Sequence, residues 1–350
     1  MADRVTAYLR NLALGVDEDD AGARIGSTAG NLLTRLEPTA EGVPLFFCAH
    51  LDTVPADGPI EPVIEEGVVR NSAGTILGAD NKAAVAVMLE ATRRLLAESR
   101  PHAGIELLFT PKEEVGLLGA AAFDSQRLHA RVGYVYDQAA PIGEVILGAP
   151  YAQAMEIRFH GRSAHSGMYP EEGRSAIAAA ARAIADFRLG RLDEETTANV
   201  GLISGGTAGN IVPEWCTFVA EARSHDEAKL ADVVQEMLEA VAFAAELGAC
   251  EVETQMRKSY RGYRFQRDDL PVRLACEALQ KTGHEPSLGL SGGAADANVF
   301  NNHGLGCVNL ANGMANIHTP DEEISVADLE GMVDVTLALI DAARGRADAS

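Results

Sequence analysis

The sequence predicts an α/β protein, a mostly parallel mixed sheet flanked by helices, with an inserted α+β domain of the ferredoxin-like kind. Three observations predict it. Apolar runs of strand length alternate with longer helical patterns in both halves of the chain, the signature of a parallel sheet with helical crossovers. Residues from about 152 to 256 read strand, helix, strand, strand, helix, strand, which is the split βαββαβ unit. The 350 residues also exceed what one hydrophobic core usually organises, so two domains are expected. The expected boundaries are 1–150 with 259–350 for the sheet domain and 151–258 for the insert.

The elements follow in order. Residues 1–35 read as a helix and a strand, with an acidic turn at Asp17 to Asp20. Pro44 to His50 is the first clear strand, and Ala83 to Leu96 a helix introduced by Gly78-Ala79-Asp80-Asn81-Lys82. The apolar run Ile105 to Pro111 is a strand, Leu117 to Phe123 a short helix and Val132 to Tyr136 another strand. In the insert, strands are expected at 152–160, 197–203, 211–223 and 250–256, with helices at 172–187 and 226–247. The pattern of the first half then resumes with a helix near 269–282, a Gly-rich loop Ser291 to Asp296, a strand Gly306 to Leu310 and a closing helix Val326 to Ala343. Tyr260 to Phe265 is aromatic and basic but short, and suits packing at the crossover.

Composition narrows the function. A formal charge of −22 argues against nucleic acid or an anionic membrane as partner, because both reward a basic face. The five cysteines, Cys48, Cys216, Cys250, Cys276 and Cys307, form no C-x-x-C pair and fit free thiols in a reducing cytosol. No run approaches bilayer length, and the N-terminus lacks an apolar core followed by a small-residue cleavage site. A cytoplasmic protein is therefore expected. The Gly-rich loops at Ser204 to Thr207 and Ser291 to Gly293 lack the spacing of a nucleotide-phosphate fingerprint.

The chemistry gathers at strand ends. Glu113 and Glu114 follow a buried strand, at the edge where open α/β sheets keep their active sites. Adjacent anions repel, so a cation is expected, with Glu114 holding a metal and Glu113 handling the proton of its water. His50 and Asp52, two apart, project together from another strand end. One could ligate a metal while the other orients a ligand or the base. Asp137 closes a third strand and Asp80 heads a helix, where an ordinary cap and a carboxylate bridging two cations are both open. In a parallel sheet all these side chains converge on one edge.

Taken in order, His50-x-Asp52, Gly-Ala-Asp80-Asn-Lys, Glu113-Glu114-x-Gly, Asp137, Gly161-x-Ser-Ala-His165-Ser, Asn210-Ile-Val-Pro and His318-Thr resemble the co-catalytic di-zinc exopeptidases and amidohydrolases, nearest their peptidase T-like members. The resemblance runs from about residue 44 to the C-terminus and implies a phosphorylase/hydrolase-like zinc-peptidase catalytic domain. It implies two Zn²⁺ per chain, with Co²⁺ or Mn²⁺ as substitutes: His50 and Asp137 on one, Glu114 and His318 on the other, Asp80 bridging. Asp52 would orient His50, and Glu113 would be the general base toward a water shared by the cations. The Asp80–Asn81 peptide would be cis. His165 would reach the site of a second subunit through a homodimer of the inserted domain, and Asn210 and Arg223 would hold the substrate backbone or carboxylate.

The activity implied is hydrolysis of short peptides with release of the N-terminal residue. An N-acyl amino acid deacylase or carboxypeptidase with the same metals is a close alternative, and a catalytically inactive binding or scaffold homologue an alternative of another class. The Gly293-Ala294-Ala295-Asp296 loop departs from the Gly-Gly-Thr/Ser-Asp of peptidase T-like chains, which puts substrate contact from that loop in question. His102, His129, His160, His225, His284 and His303 match no ligand position.

Overall fold

The strand Leu45–His50 runs through the middle of a nine-stranded sheet, and every one of its residues is buried. Strands covered on both faces read as unbroken apolar runs, and its two neighbours, Ile105–Thr110 and Val132–Gln138, are parallel to it. Gly306–Ala311 extends the parallel set beyond Val132–Gln138. Antiparallel strands flank it, Leu32–Leu36 on one side and Glu144–Ala149 on the other. The computed structural model describes residues 1–346.

Helices supply the covering layers. Ala79–Ala97, Leu270–Lys281 and Val326–Ala343 contribute Met88, Leu274 and Leu339 to one buried cluster with the strands. Phe47 packs against the rings of Tyr134 and Tyr136 at centroid distances of 5.9 and 6.0 Å. On the opposite face Phe46 meets Phe300 edge-on at 5.3 Å. The closing helix starts where Ser325 Oγ accepts the Asp328 N–H at 2.9 Å, a side-chain cap that satisfies an otherwise orphan donor.

Contacts divide the chain into two units, Met1–Ala149 with everything from Arg264, and Pro150–Tyr263. The second division falls a few residues later than the periodicity suggests, because the strand Glu251–Tyr260 runs on past Met256. Pro150–Tyr263 contains a five-stranded antiparallel sheet in which Tyr151–His160 lies between Trp215–Ser224 and Glu251–Tyr260, with Thr196–Gly205 outside Trp215–Ser224. This is the ferredoxin-like order. Along Trp215–Ser224 alternate residues are buried against the helices Ala176–Asp186 and Glu227–Gly248, as the two-residue period of a strand requires.

Several strands escape the sequence pattern. Glu144–Ala149 and Ser287–Leu290 join the large sheet. A separate three-stranded sheet pairs Val68–Asn71 with Pro62–Glu65 and with Glu323–Ser325. These have only three or four residues each, too few to show an alternation.

Candidate metal centre

The helix Ala79–Ala97 does not begin as a helix. Asp80 and Asn81 take non-helical dihedrals, and the Asp80–Asn81 peptide is cis. That kink leaves the buried Asp80 carboxylate between two imidazoles. Its Oδ1 lies 3.0 Å from His50 Nε2 and its Oδ2 lies 3.1 Å from His318 Nε2. His318 Nε2 is also 3.0 Å from Glu114 Oε1, and His50 Nε2 is 3.7 Å from Asp137 Oδ1. Ligand-type atoms of His50, Asp80 and Glu114 lie within 4.8 Å of one another, as do those of His50, Glu113 and Asp137. Five separate segments of the first unit thus meet, three of them at or just beyond the carboxyl ends of parallel strands.

Asp52 organises two of those segments. Its Oδ1 accepts the Glu113 N–H at 3.0 Å and its Oδ2 the Glu114 N–H at 3.2 Å. Its backbone carbonyl lies 3.1 Å from His50 Nδ1, nearer than its carboxylate at 3.5 Å. The hydrogen bonds of the Asp52 carboxylate go to the Glu113–Glu114 backbone, and His50 meets chiefly the Asp52 carbonyl. The Glu113 turn closes with Gly116 and Leu117 donating to Glu113 O at 2.9 and 2.8 Å. Gly116 has φ +109°, a conformation that favours glycine and explains the Glu-Glu-x-Gly pattern.

Charge is crowded here. Burial, then the Asp137 and Asp296 charges, pushes Glu113 up to about 10. Burial raises Asp137 to about 7 against the lowering pull of His50, and burial together with Asp80 raises Glu114. Burial would lower His50, but hydrogen bonding and charge from Asp137, with Asp52 and Asp80, hold it well above its usual value. Burial likewise opposes ionisation of Asp80 and is outweighed by His50 and His318. Carboxylates gathered around two imidazoles form a donor set for divalent cations. Imidazole and carboxylate donors suit zinc and its neighbours, so the residues present fit a pair of such ions.

Sequence reasoning misses several contributors. Lys82 donates to Asp52 O at 2.9 Å. Asn309 braces Asp137 by accepting its N–H at 2.9 Å and donating to its carbonyl at 3.1 Å. Asp296, buried behind the site, accepts from Thr110 Oγ1 at 2.5 Å and is pushed up to about 6 by burial. Lys82 and Asp296 stand inside the Gly-Ala-Asp-Asn-Lys and Gly-Gly-Ala-Ala-Asp segments and were readable there; Asn309, within an apolar strand, was not. A 540 Å³ cavity is lined by Asp52, Thr53, Val69, Gly78 and Lys82, and none of the five expected cation ligands lines it.

The remaining three expected residues lie in the second unit. His165 is exposed and its Nδ1 accepts the N–H groups of Gly167 and Met168, both at 3.2 Å. It stands beside Asn210, since His165 bridges Ile211 and Ser166 N–H donates to Asn210 O at 3.0 Å. Half-buried Arg223 pairs with Glu221 at 3.1 Å.

Two family models match the chain, Peptidase family M28 over residues 31–146 and the Peptidase dimerisation domain over residues 148–248. The uncharacterised protein YqjE of Bacillus subtilis is 39% identical over 333 residues, 95% of this chain and 90% of that protein. The crystal structure of aminopeptidase PepT from Bacillus cereus is 40% identical, with a TM-score of 0.89 over 98% of this chain and 92% of that one. A tripeptidase structure from Staphylococcus aureus gives a TM-score of 0.92 at 34% identity, over 97% and 92%.

The chain belongs to the peptidase T-like group of the M20 peptidase family. It is a peptidase of mixed α/β fold with a dimerisation domain. In this peptidase T-like chain the dimerisation match falls on the unit that carries His165, Asn210 and Arg223, and the cluster around Asp80 falls wholly in the other. Among the described residues no helix is long and apolar enough to cross a membrane.

Proposed function

We propose that this peptidase is a two-zinc aminopeptidase that removes the N-terminal residue from short peptides. The observation that carries the proposal is Asp80, whose two carboxylate oxygens face two different histidines at 3.0 and 3.1 Å. His50 and Asp137 would hold one cation and Glu114 and His318 the other, with Asp80 shared. When bound, the ions polarise the scissile carbonyl and acidify the attacking water. Glu113 takes that water's proton and returns it to the leaving amine. A buried carboxyl among anions has the high proton affinity that this double duty needs. Asp52 holds Glu113 and Glu114 by their backbone N–H groups, so base and ligand keep a fixed separation.

His165, Asn210 and Arg223 would bind substrate, His165 from one subunit of a homodimer serving the other. The outer strand Thr196–Gly205 supports the dimer. Among the described residues its free side is paired only at Thr197 and Ala198, by Gly190–Arg191, and beyond them Leu202 and Ile203 are 69% and 56% exposed. Such an edge invites another strand. A cytoplasmic location fits the five cysteines, all free thiols. The substrate preference follows the names of the Bacillus cereus aminopeptidase and the Staphylococcus aureus tripeptidase.

The test is a panel of tripeptides, dipeptides and N-acetyl amino acids, assayed with zinc, cobalt or manganese. Release of the amino-terminal residue from tripeptides, abolished by chelation, is expected. Cleavage confined to N-acetyl amino acids, or undiminished by chelation, would refute the proposal.

A further inference from the structure

The second histidine of the centre, His318, sits in an exposed turn with positive φ, a poor platform for a ligand that must hold an ion against Asp80. The turn is closed at its base by a pair of hydrogen bonds, Ala315 N–H to Glu323 O at 3.0 Å and Glu323 N–H to Ala315 O at 3.1 Å. It is braced inside by Thr319 Oγ1 donating to Asn316 O at 2.7 Å. What ties it to the rest of the centre is Glu322, four residues after His318 and 1% exposed.

Glu322 reaches across to the segment that carries Asp80. Its Oε2 accepts the N–H groups of Leu77 and Gly78, each at 2.8 Å, and its Oε1 accepts the N–H of Asp80 itself at 2.9 Å. Its own N–H donates to Thr319 O at 3.2 Å, back into the histidine turn. One buried carboxylate therefore spans the two loops, 242 positions apart in sequence, that bring Asp80 and His318 together. An uncharged side chain would not serve equally. Three donors converge on two oxygens, and hydrogen bonds to a charged acceptor are about twice as strong as neutral ones.

We infer that Glu322 is a positioning residue for the second cation, resting on the reading of Asp80 and His318 as cation ligands. It contacts neither cation nor substrate. It sets the gap between Asp80 Oδ2 and His318 Nε2, and so the geometry of the His318 side, while His50 and Asp137 on the other side are held by Asp52 and Asn309. The spacing His318-x-x-x-Glu322 is visible in the sequence, but an acid in an Asp321-Glu322-Glu323 run reads as a solvated turn.

The test is a calorimetric titration of metal-free protein with zinc, together with thermal melting of the same samples before zinc is added. Glu322→Gln keeps the shape but sets an amide NH₂ against one of the backbone donors. Wild type is expected to bind two ions per chain. Glu322→Gln is expected to bind the first with nearly unchanged affinity and the second about 10- to 100-fold more weakly, the usual cost of losing a group that orients a ligand. Glu322→Asp, charged but too short to reach both loops, is expected to fall between, and it also guards against misfolding of the glutamine variant. A fall in metal-free melting temperature with both affinities kept would make Glu322 merely structural and overturn the inference. Wild-type protein that binds no second ion would instead overturn the two-cation reading, and the inference with it.

Discussion

Replacing Asp52 with Asn changes no shape and removes one acceptor, which makes its effect calculable. The carboxylate takes one backbone N–H on each oxygen, from Glu113 at 3.0 Å and Glu114 at 3.2 Å. The amide leaves one oxygen to serve one N–H and turns an NH₂ toward the other. The side chain is 23% exposed, so part of the loss is made good by water. A hydrogen bond to a charged group is worth about 1.5–3 kcal/mol, and an unsatisfied buried donor costs a similar amount. Taking about 1.5–3 kcal/mol in total, at about 1.4 kcal/mol per tenfold, the expected loss is about 10- to 100-fold. It should appear in kcat/KM for a tripeptide at saturating zinc and, more weakly, in zinc affinity, because both the base and a ligand hang from the same carboxylate. The fold should survive, since no core volume changes. Steady-state kinetics with calorimetry would measure it. A variant with kcat/KM and zinc affinity within twofold of wild type would show that the Asp52 contacts do not position Glu113 and Glu114.

Glu113→Gln should lower kcat by about 10²- to 10⁴-fold with two zinc ions still bound by calorimetry; a smaller loss would move the proton transfer elsewhere. His318→Ala should leave one tight zinc per chain and abolish peptide hydrolysis, whereas two ions bound normally would remove His318 from the centre. The metal-free protein should lose stability as pH rises from about 5 to 8. Folded Glu113 and Asp137 hold protons up to about 10 and about 7, but unfolded carboxyls lose theirs near 4. Their stabilising effect is therefore complete only below about pH 4 and fades as pH climbs toward the folded values. His50, also raised when folded, adds the same sign, and Asp52 and Asp80, both lowered, act only below the range. Melting temperatures of chelated protein across that interval would check it, and a rise with pH would refute it. Breaking the outer strand with Leu202→Arg should shift the protein from dimer to monomer in light scattering; an unchanged dimer would place the interface elsewhere.

The fold was legible because its strands are buried on both faces. Leu45 to Ala49 is apolar without a break, and Ile105 to Phe109 is interrupted only by Glu106, which pairs with Arg35; strands buried on both faces read this way. The βαββαβ order of the insert was legible for the opposite reason, since strands such as Trp215 to Ser224 alternate. What stayed hidden were strands too short to set a period: Pro62 to Glu65, Val68 to Asn71 and Glu323 to Ser325 have three or four residues each, although Val69 and Ile324 pack in a small cluster with Leu77 and Met314. At the centre, residues that project from strand ends announced themselves through spacing, as His50 and Asp52 did. Those that act through backbone hydrogen bonds did not. Asn309 and Glu322 look ordinary in sequence because their work depends on partners more than 170 and 240 positions away.

Asp52 and Glu322 together explain how so crowded a cluster holds its shape. Each is a carboxylate that spends its oxygens on backbone N–H groups of a neighbouring segment, Asp52 on Glu113 and Glu114, Glu322 on Leu77, Gly78 and Asp80. Fixing backbone rather than side chains leaves the ligand oxygens free while removing the freedom of the loops that bear them. The same logic separates the two sides of the centre. His50 and Asp137 stand on strands at the middle of the sheet, as Glu114 does just beyond one, whereas His318 stands on a single turn tied in by one buried glutamate. On the proposed two-cation reading, the ion on the His318 side should therefore be the first to leave under chelation, and activity should fall with that ion rather than with the last.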